Sequence, residues 1–163
     1  MGRKFKSNRR GPPCGRLNAP WSKMRGRPAG ENPVPKPDYA AGQSWTYRTR
    51  PGEEASRVAI RHIDHEPEDG QVFHVSILDV KLRNHRVPGG MQRAMNHAAV
   101  SRATLDASLL ALAGEADTDE SWRDGYGVWR QAYDNGDAGI FDISLGEILG
   151  YIEMVVAASG EVL

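Results

Sequence analysis

The chain has 163 residues, of which 39 % are hydrophobic, enough apolar material for one core, and its 21 basic and 21 acidic side chains balance to zero. A single cysteine, Cys14, excludes an intramolecular disulfide, and no apolar run approaches the roughly 18–20 residues of a membrane span. No apolar stretch of about 7–15 residues follows the basic start, so no secretory signal is expected and a soluble, cytoplasmic protein is.

The zero net charge hides a division. Residues 1–38 carry ten Lys/Arg against two acids, whereas residues 39–163 carry eleven against nineteen. The first stretch also holds seven of the ten prolines and few large apolar side chains. Such a segment cannot offset a backbone ordering cost of about 1–2 kcal/mol per residue. It is expected as a disordered Pro/Gly/Arg-rich tail, with 39–163 as one acidic domain and Pro33-Val34-Pro35-Lys36-Pro37 as a stiff spacer between them. Within the tail, Arg3, Lys4, Lys6, Arg9, Arg10, Arg16, Lys23, Arg25 and Arg27 suit phosphate contacts, which would make nucleic-acid binding salt-sensitive and nearly blind to sequence. The same arm can instead lie along the acidic domain, and Met24 offers an alternative first residue.

The domain opens with Ser44–Arg50, whose alternation places Trp45, Tyr47 and Thr49 on one side of a half-buried strand. Pro51-Gly52 supplies the fixed and the positive φ of a type II turn. Ser56–Asp64 reads as a second strand with Val58 and Ile60 inward. After the turn-forming Glu66–Gly70, Gln71–Leu82 reads as a third, with Phe73, Val75 and Ile77 on one side and Val72, His74 and Ser76 on the other. These three form an antiparallel meander.

Residues 83–100 are harder to read. Val87-Pro88-Gly89-Gly90 marks a loop, and Met91–Ala99 fits irregular chain or a short edge strand. Ser101 then caps a helix predicted to reach Ala113, with Leu105, Leu109 and Leu112 on one stripe. A second helix is predicted over Glu120–Asp134, where Trp122, Tyr126, Trp129 and Tyr133 recur at helical spacing and read as core. Ala138–Ile143 reads as a short strand. Ser144-Leu145-Gly146-Glu147 is a capping box opening a last helix to about Ala158, with Ile148, Ile152 and Val155 inward. Strands first and helices afterwards predict an α+β domain, a small curved antiparallel sheet with about three helices on one face.

The segment Gly42–Ser56, together with Val72–Ile77 and the Gly-Tyr-x-x-Trp portion Gly125–Trp129, resembles a family of small uncharacterised bacterial proteins. The likeness spans roughly residues 40–157. It implies a bacterial, stand-alone domain and carries over neither an activity nor a functional residue.

Three constellations have chemical content. His62, Asp64 and His74 share a strand face in pairs and are candidate ligands for zinc or a non-haem metal, although the spacing matches no established ligand signature. Arg48 and Arg50 face Glu53 and Glu54 across the Pro51-Gly52 turn, either as surface ion pairs or as a protein-docking spot. Ser101 beside His97, or Ser76 beside His74, lacks a nucleophile elbow, and Cys14 lies where no pocket tunes it. No cofactor is implied. The sequence therefore points to a non-catalytic protein-binding module, a regulator, adaptor or immunity-type protein whose acidity suits a basic partner. A nucleic-acid-associated protein acting through the basic arm is the second reading, and a metal-dependent enzyme using the strand histidines the third.

Overall fold

The computed structural model describes residues 35–160, so the basic tail and its nine candidate phosphate contacts lie outside the described residues. The chain forms β1 (Gln43–Tyr47), β2 (Arg57–Glu66), β3 (Gly70–Arg83), β4 (Met91–Ser101), α1 (Arg102–Ser108), β5 (Leu109–Glu115), α2 (Trp122–Asp134) and α3 (Leu145–Ala158). The five strands make one antiparallel sheet in the order β4-β3-β2-β1-β5, and with the helices this is an α+β fold. No described helix is long and apolar enough to cross a membrane.

One sheet face carries the hydrophobic core. Trp45, Tyr47, Val58, Ile60, Phe73, Val75, Ile77, Met95 and Val100 pack there against Leu105 of α1 and Leu145, Ile148 and Leu149 of α3. The meander and its inward residues are as the alternation predicts, and Gly52 has the positive φ (83°) that the turn requires. The Ser144 capping box is complete: its hydroxyl accepts from the Glu147 amide while the Glu147 carboxylate accepts from the Ser144 amide.

Four expectations need correction. Met91–Ser101 is a full strand of 11 residues, obscured in the sequence because Ala94, Asn96, His97, Ala98 and Ala99 lack the β-branched and aromatic bulk typical of strands. The helix from Ser101 ends at Ser108, and Leu109–Glu115 is β5, which pairs with the open side of β1. Leu and Ala favour helix intrinsically, but backbone pairing with β1 overrides that weak preference. Ala138–Ile143 supplies only one bridge, Phe141 to Val100, rather than a strand. In α3 Val155 is exposed, and Leu145 and Leu149 fill the inward positions beside Ile148.

A fifth correction matters most for function. The helices lie on both faces: α1 and α3 cover the core face, whereas α2 crosses the opposite face over β3 and β4. The aromatic stripe of α2 is therefore no part of the main core. It roofs a polar cluster.

Candidate functional site

Strict alternation from Val58 and Ile60 would turn His62 and Asp64 into the hydrophobic core. A β-bulge prevents this. The pairing steps from Ile60 opposite Val75 to His62 opposite His74, so Arg61 is an inserted residue and everything beyond it changes face. His62 and Asp64 thereby join His74 under α2. Arg61 fills the bulge, donating through Nε to Ser76 Oγ (2.9 Å) and through Nη1 to Asp117 Oδ1 (2.7 Å). A second irregularity, where Val75 pairs Ala98 and Ile77 pairs Met95, places an extra residue in β4 beside His97.

Asp64 is the hub of the cluster. Its Oδ1 accepts from His62 Nε2 at 2.9 Å, and its Oδ2 from His74 Nε2 at 3.1 Å and from the Tyr126 hydroxyl at 2.9 Å. The Arg130 guanidinium stands 3.6 Å from Oδ2 and also pairs with Glu66 and Asp134. His74 is fully buried, and its Nδ1 meets His97 Nε2 at 2.9 Å. An ionised carboxylate only accepts, so His74 carries its proton on Nε2; its Nδ1 then accepts, and His97 must donate from Nε2. The order of donation runs from His97 through His74 to Asp64.

Burial pushes both His74 and His97 down to about 4 from the usual 6.5, which keeps the pair neutral near pH 7. Burial works to raise the Asp64 carboxyl, but the hydrogen bonds from Tyr126 and His62 outweigh it and hold the group below the usual carboxylate range. Aromatic rings close the site. Tyr126 and Trp129 each stand edge-on to His74 with centroids 4.8 Å apart, and Trp122 stacks on His62 at 6.1 Å.

Glycine lets α2 approach this closely. A Cβ built on Gly125 would lie 2.7 Å from the Cβ of His97, whereas one on Gly127 meets nothing within 4 Å. Two alanine substitutions in one helix are therefore expected to have opposite signs. Gly125→Ala loses about 1–3 kcal/mol because helix and strand must separate, while Gly127→Ala gains about 0.5–1 kcal/mol from lower unfolded-state entropy. Urea denaturation followed by tryptophan fluorescence measures both, and two gains would contradict the close contact.

The structure brings the proposed metal set together, but not as a ligand set. His74 spends both ring nitrogens on Asp64 and His97, and both Asp64 oxygens point at protein donors. Among the described residues no group of three His, Cys, Asp or Glu side chains is arranged to hold a metal ion. His97, Tyr126 and Arg130 are the members that sequence reasoning missed. Only the aromatic stripe of α2 pointed toward them, and it read as core.

The Arg50–Glu53 docking spot is likewise turned inward. Glu53 is only 3 % exposed and holds Arg50 through two bonds, Nε to Oε2 at 2.9 Å and Nη2 to Oε1 at 2.6 Å. Arg50 also reaches Glu153 of α3 (2.9 Å), while the amides of Lys81 and Arg83 donate to Glu53 and Glu153. The Arg50 hydrogen bonds hold the Glu53 carboxyl below its usual range. This network latches the β1–β2 connection and β3 to α3. Glu54 stays at the surface, capping the Gly52 amide, and Arg48 is exposed.

Besides Met91 of β4 and Val128 of α2, which stand singly, large apolar side chains remain exposed as groups in two places among the described residues. One is the edge strand β5, with Leu110 and Leu112. The other is the outer side of α3, with Tyr151, Met154 and Val155, preceded by Ile143. No family model, curated protein or solved structure matches the chain.

Proposed function

We propose that the folded part is a protein-binding module without catalytic chemistry of its own, and that the outer side of α3 receives an amphipathic helix with basic flanks from its partner. One observation carries the reading: α3 is apolar around much of its circumference, yet Leu145, Ile148, Leu149 and Ile152 pack on the core while Tyr151, Met154 and Val155 stay exposed. A helix of that composition is normally buried on all sides. Glu153, the charge within this stretch, is withdrawn into the Arg50 network, which leaves Tyr151, Met154 and Val155 as an uncharged stripe. Beside them a cleft of about 580 Å³, bordered by His85, Gly150, Met154 and Ala157, offers a seat for an anchoring side chain. Exposed Asp142 and Glu147 flank the N-terminal end of the stripe, exposed Arg83 borders the cleft, and the excess of nineteen acids over eleven bases in residues 39–163 favours encounter with a basic partner. The engagement of His74 supports the non-catalytic part of the proposal: it is fully buried and spends both ring nitrogens on Asp64 and His97. A cytoplasmic setting belongs to the same reading, since one cysteine demands no oxidising surroundings.

A dye-labelled amphipathic Leu/Lys helix of about 18 residues, titrated by fluorescence anisotropy, is a direct probe. The intact protein is expected to bind it and to ignore the Leu/Glu counterpart. Met154→Glu, at a position 61 % exposed, should weaken binding at least about tenfold without altering the fold. Equal affinity of wild type and variant would remove α3 as the docking face.

A further inference from the structure

We infer that α2 is an acid-released element: when His74 and His97 both take up protons, the helix leaves the sheet while the five strands, α1 and α3 stay folded. The two sheet faces are held by different forces. Among the described residues the hydrophobic core draws on the strands, α1 and α3 and takes no side chain from α2, in which Trp122 alone is buried. Instead, α2 is held by the rings of Tyr126 and Trp129 on His74 and by the Tyr126 hydroxyl on Asp64 (2.9 Å). Farther along, Arg130 pairs with Glu66 and Tyr133 bonds to Asp69 at partly exposed positions, where such ties add little. The chain on either side, 116–121 and 135–140, is neither helix nor strand, so the helix can move without breaking a strand pairing. Elements with few buried apolar contacts are the ones that open before the whole protein unfolds.

Proton uptake acts at the centre of this contact. The first proton goes to His97 Nδ1 and leaves both histidine hydrogen bonds in place. The second, on His74 Nδ1, sets two N–H groups against each other at 2.9 Å, between charged rings stacked with centroids 5.2 Å apart. The rings must then part. His74 is fully buried on β3, a strand paired on both sides, and stays bonded to Asp64, so His97 is the one that moves. A docked α2 prevents this. Even a Cβ on Gly125 would lie 2.7 Å from the His97 Cβ and 3.3 Å from its Cγ, so the helix backbone leaves the ring no room to swing.

Other charged groups face the pair from two elements. Asp64 of β2 favours the added proton, whereas His62 of β2 and Arg130 of α2 oppose it; Glu66 and Asp134 are engaged by Arg130. Exposure on release returns both imidazoles from about 4 toward 6.5, so release and proton uptake favour each other as pH falls between those values. The freed helix presents Trp122, Tyr126, Trp129 and Tyr133 at helical spacing, an aromatic side that the docked state hides.

Amide hydrogen exchange of the full chain, read by mass spectrometry between about pH 7 and pH 4.5 and corrected for intrinsic rates, tests this. Each proton taken up favours opening by up to about tenfold per pH unit. At about pH 4.5 the α2 amides are expected to be at least about 100-fold less protected than those of β3. His97→Gln removes one titrating group, and its side-chain amide can donate to His74 Nδ1 or, turned over, accept from it. That variant should keep α2 protected at the same pH. If it does not fold, the wild-type comparison decides alone. Joint loss of protection in α2 and β3, an α2 that stays protected throughout, or a folded His97→Gln protein that still releases the helix would each overturn the inference.

Discussion

Asp64→Ala is expected to lower stability by about 3–5 kcal/mol, among the largest effects of any single substitution in this protein, even though the residue lies outside the hydrophobic core. The loss comes from what is left behind. His74 is completely buried, so its Nε2–H would have no acceptor, and the Tyr126 hydroxyl would lose the same oxygen. A stranded donor costs about 1–3 kcal/mol, most of all at His74, which cannot turn to water, while the half-buried Tyr126 loses its hydrogen bond as well. Arg130 would keep Glu66 and Asp134. Asp64→Asn separates geometry from charge. The amide oxygen can take the place of Oδ2 and accept from His74 and Tyr126, while the amide nitrogen donates to His62, which moves its own proton to Nδ1. That variant should stay within about 1.5 kcal/mol of wild type. Urea midpoints with a common denaturant slope measure both. If Asp64→Ala melted together with Asp64→Asn, the carboxylate would be no hub.

Acidification below pH 6.5 should destabilise the fold well before the carboxylates titrate. His74 and His97 are held at about 4 by burial, against 6.5 in an unfolded chain. Between those values the unfolded chain binds more protons, so their contribution is complete above about pH 6.5 and is lost as pH falls toward about 4. The slope is up to about 1.4 kcal/mol per pH unit for each histidine. The hydrogen bond between them moderates it: one added proton can go to His97 Nδ1 while His97 Nε2 still donates to His74 Nδ1, whereas a second, on His74 Nδ1, would set two N–H groups against each other. The steepest loss is therefore expected at the lower end of the window. Below about pH 4 the depressed carboxyls of Asp64 and Glu53 extend the decline, since their ion pairs and hydrogen bonds vanish on protonation. Denaturant midpoints collected from pH 7.5 to 4.5 give the profile, and a flat line over that range would mean the histidines are not buried neutral.

Local pattern was a good guide wherever a segment answered to its own period. The alternation of Trp45 and Tyr47, of Val58 and Ile60, and of Phe73, Val75 and Ile77 gave the meander and its core face, and Ser144 with Glu147 marked the start of α3. Those signals are local because a pleat or a cap involves residues within a few positions of each other. β4 and β5 were illegible for the converse reason. Their Ala- and Leu-rich segments have no strong preference for strand, and the free sides of β3 and β1 recruit them.

The candidate site was half legible. Histidines and an aspartate on neighbouring strands were visible, and so was an aromatic stripe at helical spacing, but nothing in the spacing joined the two. Composition and periodicity established the excess of acids over residues 39–163, the α+β class and the first three strands, because charge and alternation are properties of the chain whatever its path. One inserted residue, Arg61, moved His62 and Asp64 from the core face to the α2 face, and the bare backbone of Gly125 let α2 descend on them. The same long-range pairing left β5 with an uncovered edge and buried Glu53 beneath Arg50. Register, the face each helix covers and the surfaces left open are set by contacts between residues far apart in the chain, and a one-residue slip reverses every side chain beyond it.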